Sequence, residues 1–201
     1  MNERIAALTR EMTALEEELE TELARRRIEL NFVVQQGKIR FEQAIIARHR
    51  AAKTRLSRYV LQARPLMLLR APIIYSLAVP LVLLDVFLKC CQAVCFPVYG
   101  IRKVSRPDYF IFDRGHLAYL NAIEKFNCVY CSYANGLIGY AREVASRTEQ
   151  YWCPIKHARR VICAHQRYPR FVDYGDADAY RHELAALRQE LQQPAVKADS
   201  H

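Results

Sequence analysis

The residues best suited to chemistry in this sequence are cysteines and a histidine that occur as two closely spaced pairs. Cys128 and Cys131 form a CxxC motif, and His157 follows Cys153 by four positions. On a helix, either spacing places both side chains of a pair on one face. Thiolate and imidazole are ligands of tetrahedral zinc sites, and a two-residue gap lets both sulfurs reach one ion. These residues therefore predict a structural zinc site of the Cys3His type.

Neighbouring residues keep other ligand sets open. Cys163 or His165 is an alternate that would replace one member of the zinc set. Four thiolates, from Cys128, Cys131, Cys153 and Cys163, would instead hold an iron–sulfur cluster. The spacing of these cysteines matches neither ferredoxin pattern. Zinc is therefore the expected cofactor, with the iron–sulfur cluster as the alternative.

The same thiols are also candidates for catalysis. A CxxC pair is typical of thiol–disulfide exchange, but the βαβ setting of thioredoxin-like motifs is absent here. Cys153 with His157 as its base would be a nucleophile, yet the sequence supplies no orienting group or oxyanion hole. A c-type haem is excluded at the CxxC pair, because Ser132 stands where that motif requires histidine. Plain packing also accounts for cysteines, which are among the most buried residue types.

Common enzyme motifs are missing from the sequence. Its six glycines build neither a P-loop nor a dinucleotide fingerprint, and there is no GxSxG or HExxH. The stretch DRGH at 113–116 is interpreted as a helix cap. The stretch DYGDAD at 173–178 resembles half a calcium loop but lacks the later glutamate. We therefore expect a binding protein rather than an enzyme.

Any site built from both pairs needs the chain to turn back on itself. Asn135 and Gly136 are interpreted as a helix break or cap between two helices. Folding at this break would bring the CxxC face against the face that carries Cys153 and His157. Pro154 is expected in the first turn of a further helix. Residues 107–176 are accordingly predicted to form a compact helical Cys/His domain.

The most apolar part of the sequence is residues 71–101, whose charged residues are Asp85 and Lys89. As a helix this segment would be about 46 Å long at about 1.5 Å per residue, against a hydrocarbon core of about 30 Å. We predict one hydrophobic membrane helix, spanning or re-entrant, with a kink at Pro80. Asp85 and Lys89 are four positions apart on one helix face and are expected to pair.

The preceding residues, 42–70, are predicted to form a basic amphipathic helix on the membrane surface. The net charge of +9 suggests an anionic partner, and the adjoining apolar segment favours anionic lipid over nucleic acid. Basic flanks on both sides of that segment, together with unpaired thiols, place the Cys/His domain on the cytoplasmic side. Within residues 42–64 the basic residues are Arg48, Arg50, Lys53, Arg55, Arg58 and Arg64.

Helical arms are predicted at both ends of the chain. Residues 1–41 are interpreted as a charged arm with a narrow coiled-coil stripe and a β-hairpin at 31–41. Residues 177–192 are expected to form a short amphipathic helix, and 193–201 a disordered tail. Such arms would support self-association or binding to a membrane protein complex.

Together these features predict a mainly α-helical, membrane-anchored protein. It would combine an amphipathic or coiled-coil N-terminal helix, one hydrophobic helix and a compact helical Cys/His domain. The expected function is that of a membrane-tethered scaffold or adaptor with a structural zinc domain. The alternative is a membrane-bound redox or electron-transfer component that uses an iron–sulfur cluster or the CxxC thiols.

Overall fold

The computed structural model describes residues 3–29, 32–35, 38–41, 43–62 and 65–192. Over these residues the chain is mainly helical, which confirms the predicted fold class at that level. The predicted disordered tail, 193–201, lies outside the described residues. The elements in chain order are α1 (Glu3–Glu29), β1 (Phe32–Gln35), β2 (Lys38–Phe41), α2 (Gln43–Ala51), α3 (Leu56–Gln62), α4 (Pro65–Ser76), α5 (Ala78–Tyr99), α6 (Ala122–Trp152) and α7 (Ala177–Glu190).

The N-terminal arm is one unbroken helix, α1. Glu3 lies in its first turn and Arg26 and Arg27 in its last turn, which suits the helix dipole. The apolar residues of the predicted coiled-coil stripe from Leu8 to Leu23 are exposed in the single chain. Pairing through this stripe stays a prediction. After α1, β1 and β2 form an antiparallel pair in the segment where the sequence predicts a hairpin.

The structure divides the segment in which the sequence predicts one basic helix. α2 ends at Ala51, α3 begins at Leu56, and α4 begins at Pro65. Arg50 and Lys53, like Arg55 and Arg58, are like charges three positions apart, which disfavours a continuous helix. Pro65 is acceptable as the first residue of α4, because its missing N–H is one that a helix leaves unpaired there.

The apolar helix is interrupted close to Pro80, where the sequence predicts a kink. α4 and α5 are separated by the turn residue Leu77, whose N–H donates to the Ile74 carbonyl at 3.3 Å. Pro80 has no N–H with which to reach the carbonyl of Ser76, so the hydrogen-bond ladder is interrupted one turn before the proline. The Leu81 N–H then bonds the Leu77 carbonyl at 3.2 Å, and the helix continues to Tyr99.

The longest element, α6, begins with a reciprocal cap. The Glu124 N–H donates to Asn121 Oδ1 at 3.0 Å, and the Asn121 N–H donates to Glu124 Oε2 at 2.8 Å. The predicted break at Asn135 and Gly136 is wrong, because α6 continues through both residues. Asn135 instead donates its side-chain amide to the Cys131 carbonyl, at 2.9 Å. A glycine inside a helix costs only about 1 kcal/mol relative to alanine, which packing readily offsets.

The described residues fall into two contact units. Unit 1 contains 3–9, 82–109 and 137–192, and unit 2 contains 110–136 with the described part of 10–81. In unit 2, Tyr75 packs edge-on against Phe126 and Tyr130, and its hydroxyl donates to Asn127 Oδ1. The hydroxyl of Tyr130 also donates to the Ile74 carbonyl at 2.8 Å.

Unit 1 contains the best-packed core. α7 is capped by Asp176, whose Oδ1 accepts from the Ala179 N–H at 2.9 Å. Pro154 does not begin a helix, contrary to the prediction. Its carbonyl accepts from the Val172 N–H at 2.9 Å in a parallel bridge, which commits this stretch to an extended conformation. The buried apolar side chains of this core are Phe96, Ile101, Val104, Leu137, Tyr140, Val144, Phe171, Val172, Leu187 and Leu191.

Candidate functional site

The inner face of α5 is unusual because polar side chains are buried on it. Asp85 is 6% exposed and Gln92 is 4% exposed, while Phe96 on the same face is 1% exposed. The spacings of seven and four place all three side chains on one side of the helix. A buried polar group is costly unless it is hydrogen-bonded. The buried polar side chains on this face must therefore have hydrogen-bond partners within unit 1.

Asp85 pairs with an arginine that helical spacing does not predict. Both carboxylate oxygens accept from Arg106, at 2.6 and 2.7 Å, in a two-pronged ion pair. The predicted partner, Lys89, is farther away, with its Nζ 4.0 Å from Asp85 Oδ1. The sequence shows that Arg106 lies in a basic stretch after the apolar helix. It does not show that Arg106 lies opposite Asp85 in the folded chain.

Gln92 joins α5 to two other parts of unit 1. Its Oε1 accepts from the Val104 N–H at 2.7 Å, and its Nε2 donates to the hydroxyl of Tyr140 on α6. Residues 101–106 therefore run back along the helix that they have just left. Gly100 permits this reversal because its φ is +67°, a conformation that side chains disfavour.

The outer face of α5 is apolar and exposed. Its side chains within unit 1 include Val86, Phe87, Val94 and Val98, of which Phe87 is 69% and Val98 is 76% exposed. A helix on the surface of a water-soluble protein shows the opposite pattern, with apolar residues facing in and polar residues facing out. Clustered exposed apolar side chains of this kind mark a surface that contacts protein or membrane.

The hydropathy of this helix agrees with its exposure. Within the described residues, Leu69–Tyr99 is the single helix that is long and apolar enough to cross a membrane. Its mean hydropathy is 2.1 over the most apolar window, and only 6% of that window is buried. A core helix of a soluble protein would be largely covered. The long apolar segment predicted from the sequence is thus present as a helix that is long enough to cross a membrane, with its outer face uncovered.

A half-buried ionic network supports the packing of unit 1 behind α5. Glu143 on α6 accepts from Arg147 Nε and from Arg167, each at 2.8 Å. Burial alone would raise the pKa of Glu143, but the hydrogen bonds and charges of these two arginines outweigh it and lower that pKa. Arg147 also donates to the Arg102 carbonyl at 2.6 Å, so the network reaches the segment that returns along α5.

Tyr109 fills the space beside the same network. The nearest approach of its ring to a β-carbon built on Gly139 would be 3.3 Å, so a side chain larger than hydrogen is crowded there. Its ring lies edge-on to that of Tyr140, with centroids 6.0 Å apart. Burial, followed by the nearby Glu143 carboxylate, raises the pKa of Tyr109.

The predicted metal ligands do not form a compact group in the structure. Cys128 is half-buried and Cys131 is exposed on α6, while Cys153 and Cys163 are exposed after it. His157 is exposed, and its ring stacks on Tyr168 with centroids 6.2 Å apart. Across the described ranges, no three or more His, Cys, Asp or Glu side chains gather closely enough to hold a metal ion. The continuous α6 also removes the turn by which the two pairs were expected to meet.

His165, the alternate ligand, has other partners. Its Nε2 lies 3.0 Å from Glu149 Oε2, and its ring packs edge-on against Tyr168 and Phe171. Its Nδ1 is buried without a hydrogen-bond partner among the described residues. A zinc ion or an iron–sulfur cluster at these residues stays a prediction, and all seven cysteines are free thiols.

Comparisons with protein families, with curated proteins and with solved structures gave no match to this chain. Its function is therefore inferred from its own residues. The feature with the clearest physical meaning is α5, which is polar where it meets protein and apolar where it meets the surroundings.

Proposed function

We propose that the protein is a membrane-tethered scaffold or adaptor, anchored by the apolar outer face of α5. The observation that carries this proposal is the inverted pattern of α5, in which Asp85 and Gln92 are buried and Phe87, Val94 and Val98 are exposed. In water such a face costs about 25 cal/mol for each Å² of apolar area. Insertion into lipid removes that cost and leaves the polar contacts of the inner face intact.

The charge distribution supports an anionic lipid surface as the partner. Arg70 precedes α5, Lys89 lies at its edge, and Arg102 and Lys103 follow it, and all four residues are exposed. Each lysine or arginine near an anionic bilayer contributes about 1 kcal/mol of attraction. Exposed basic residues on α2 and α3 add to this attraction. This chemistry favours a leaflet rich in anionic lipid, on the cytoplasmic side of the membrane.

The scaffold role follows from what surrounds the anchor. Unit 1 contains a dense set of structural hydrogen bonds and ion pairs, which suits a rigid folded unit held at a membrane. The exposed apolar stripe of α1 offers a surface for self-association or for a membrane protein complex. A structural zinc ion at Cys128, Cys131, Cys153 and His157 is a separate proposal, and the anchoring role does not depend on it. The redox alternative needs the same thiols to come together.

Acidic substitutions on the outer face of α5 test the anchor. We expect Phe87→Glu/Val94→Glu to move the protein from the membrane pellet to the soluble fraction. A carboxylate held among acyl chains costs up to about 3 kcal/mol, so membrane partition should fall by about 100-fold. The measurement is flotation with liposomes that contain phosphatidylglycerol, with far-UV circular dichroism to check folding.

A matched control separates this effect from added negative charge. Val161→Glu/Ile162→Glu introduces the same charge into an exposed loop of unit 1, where Ile162 is 84% exposed. This variant should float with the liposomes much as the unmodified protein does. Equal release of both variants, or continued flotation of the α5 variant, would refute anchoring by this face.

A further inference from the structure

We infer that α5 lies in the plane of one leaflet, with its apolar face among the acyl chains, and does not cross the bilayer. This inference rests on the proposed membrane contact and goes beyond it by assigning the geometry of insertion. The structural basis is that unit 1 covers the inner face of α5 along most of the helix. A helix that crosses a bilayer would carry this covering layer into the hydrocarbon.

Polar contacts occur at successive levels of the inner face. Asp85 is hydrogen-bonded to Arg106. Gln92, two helical turns later on the same face, is hydrogen-bonded to Val104 and Tyr140. Near the end of the helix, the ring of Tyr99 packs on Tyr151 and Trp152, with centroids 5.0 and 5.3 Å apart. Protein therefore flanks α5 from residue 85 to residue 99, which is about 21 Å at 1.5 Å per residue.

The remaining apolar length is too short to cross a bilayer. Residues 69–84 would span about 23 Å as a helix, whereas the hydrocarbon core is about 30 Å thick. A crossing would therefore place the level of Asp85 inside the core. The side chain of Arg106 is 32% exposed at that level and that of Lys89 is 57% exposed. Each such charge costs about 2.5–3.5 kcal/mol near the bilayer centre.

The in-plane orientation avoids these costs. The exposed outer side chains, among them Leu83, Cys90 and Val94, all point away from the inner face and carry no charge. An in-plane helix buries its apolar side by about 5–10 Å, to the boundary between headgroups and acyl chains. Lys89, at the edge of the apolar face, can then extend its ammonium group to the headgroups. The ionic network of Glu143 stays on the water side.

Depth measurements along the outer face test this orientation. Nitroxide labels are placed singly at Leu83→Cys, at native Cys90 and at Val94→Cys, in full-length protein whose other cysteines are serine. The protein is bound to vesicles of phosphatidylcholine and phosphatidylglycerol, and depth is read from collisions with oxygen and with a water-soluble nickel chelate. An Ile162→Cys label supplies the reference for a site in water.

The in-plane orientation predicts one shared, shallow depth for all three labels. A crossing helix predicts a gradient, because residues 83 and 94 are about 16 Å apart along the axis. A gradient would overturn the in-plane orientation and leave the membrane anchor standing. Labels that are all as accessible to the nickel chelate as position 162 would overturn the anchor itself.

Discussion

Arg106 is the residue that makes a carboxylate acceptable on an apolar helix. Its guanidinium meets both oxygens of Asp85 while the Asp85 side chain is only 8% exposed. The pair forms between residues that are 21 positions apart, so neither helical periodicity nor local spacing identifies it. Helical spacing predicts a pair between Asp85 and Lys89, because these residues lie on one helix face. Helical spacing therefore identifies Lys89, which is near Asp85 in the sequence, but it cannot identify Arg106, which is closer to Asp85 in space.

Removing Arg106 should be more harmful than removing Lys89. In Arg106→Ala, the buried Asp85 carboxylate loses its main partner, and we expect a loss of about 2–3 kcal/mol in the free energy of unfolding. Breaking a fully buried pair costs about 3–5 kcal/mol, and the partial exposure of Arg106 reduces this figure. Lys89→Ala should cost less than about 1 kcal/mol. Urea unfolding in mild detergent compares the two variants.

A further variant separates the charge from the packing. Asp85→Asn in the Arg106→Ala background removes the stranded negative charge and should recover part of the lost stability. If Arg106→Ala and Lys89→Ala lose equal stability, the ion pair to Arg106 does not have the role assigned to it.

At the scale of elements, α6 organises unit 1. Arg147 on α6 donates a hydrogen bond to the carbonyl of Arg102, in the segment that returns along α5. Glu143 on α6 accepts a hydrogen bond from Arg167, in the stretch after α6. The helix also reaches α7, because Gln150 donates to the Leu187 carbonyl at 2.8 Å. The asparagine–glycine pair suggested a break here, but local turn preference is weak beside the packing of a 31-residue amphipathic helix. The continuity of α6 could not be predicted from that dipeptide.

The Glu143 network should make the stability of unit 1 depend on pH. Its folded-state pKa is lowered from the ordinary value of 4.5, so Glu143 contributes stability above that pH and loses it as the pH falls further. Glu143→Gln should therefore lower the melting temperature most at neutral pH. The difference from the unmodified protein should narrow below about pH 4.5.

Thermal melting between pH 3 and pH 7 measures this dependence. Glu11→Gln, a change on the exposed surface of α1, serves as the control for loss of one carboxylate. If the melting temperatures of the Glu143 variant and the unmodified protein differ by the same amount at every pH, the ionised Glu143 carboxylate does not have this role.

At the scale of the whole molecule, composition and periodicity predicted the broad features. The mainly helical fold, the long apolar helix and its interruption near Pro80 could all be predicted, because they depend on neighbours in sequence. The predicted zinc site depends on residues meeting from distant positions, and spacing alone carries no such information. The prediction that Cys128 and Cys153 share a site assumed a turn at Asn135 and Gly136, where α6 is continuous.

Metal analysis decides whether the cysteines have a role that this conformation does not display. If a structural zinc site forms, detergent-purified protein should contain about one zinc per chain and Cys128→Ser should lose it. Brown protein with visible absorption would point to an iron–sulfur cluster instead. Colourless, metal-free protein whose stability is unchanged in Cys128→Ser would exclude both sites.

The chain order of the α5 contacts has a consequence for synthesis. The ribosome completes Gln92 before it makes Tyr140, which lies 48 positions later, and completes Asp85 before Arg106. The apolar side of the helix is therefore finished while the partners of its polar side do not yet exist. A nascent chain held at this stage offers its apolar surface first. The polar side of the helix gains its partners only after translation has passed well into α6.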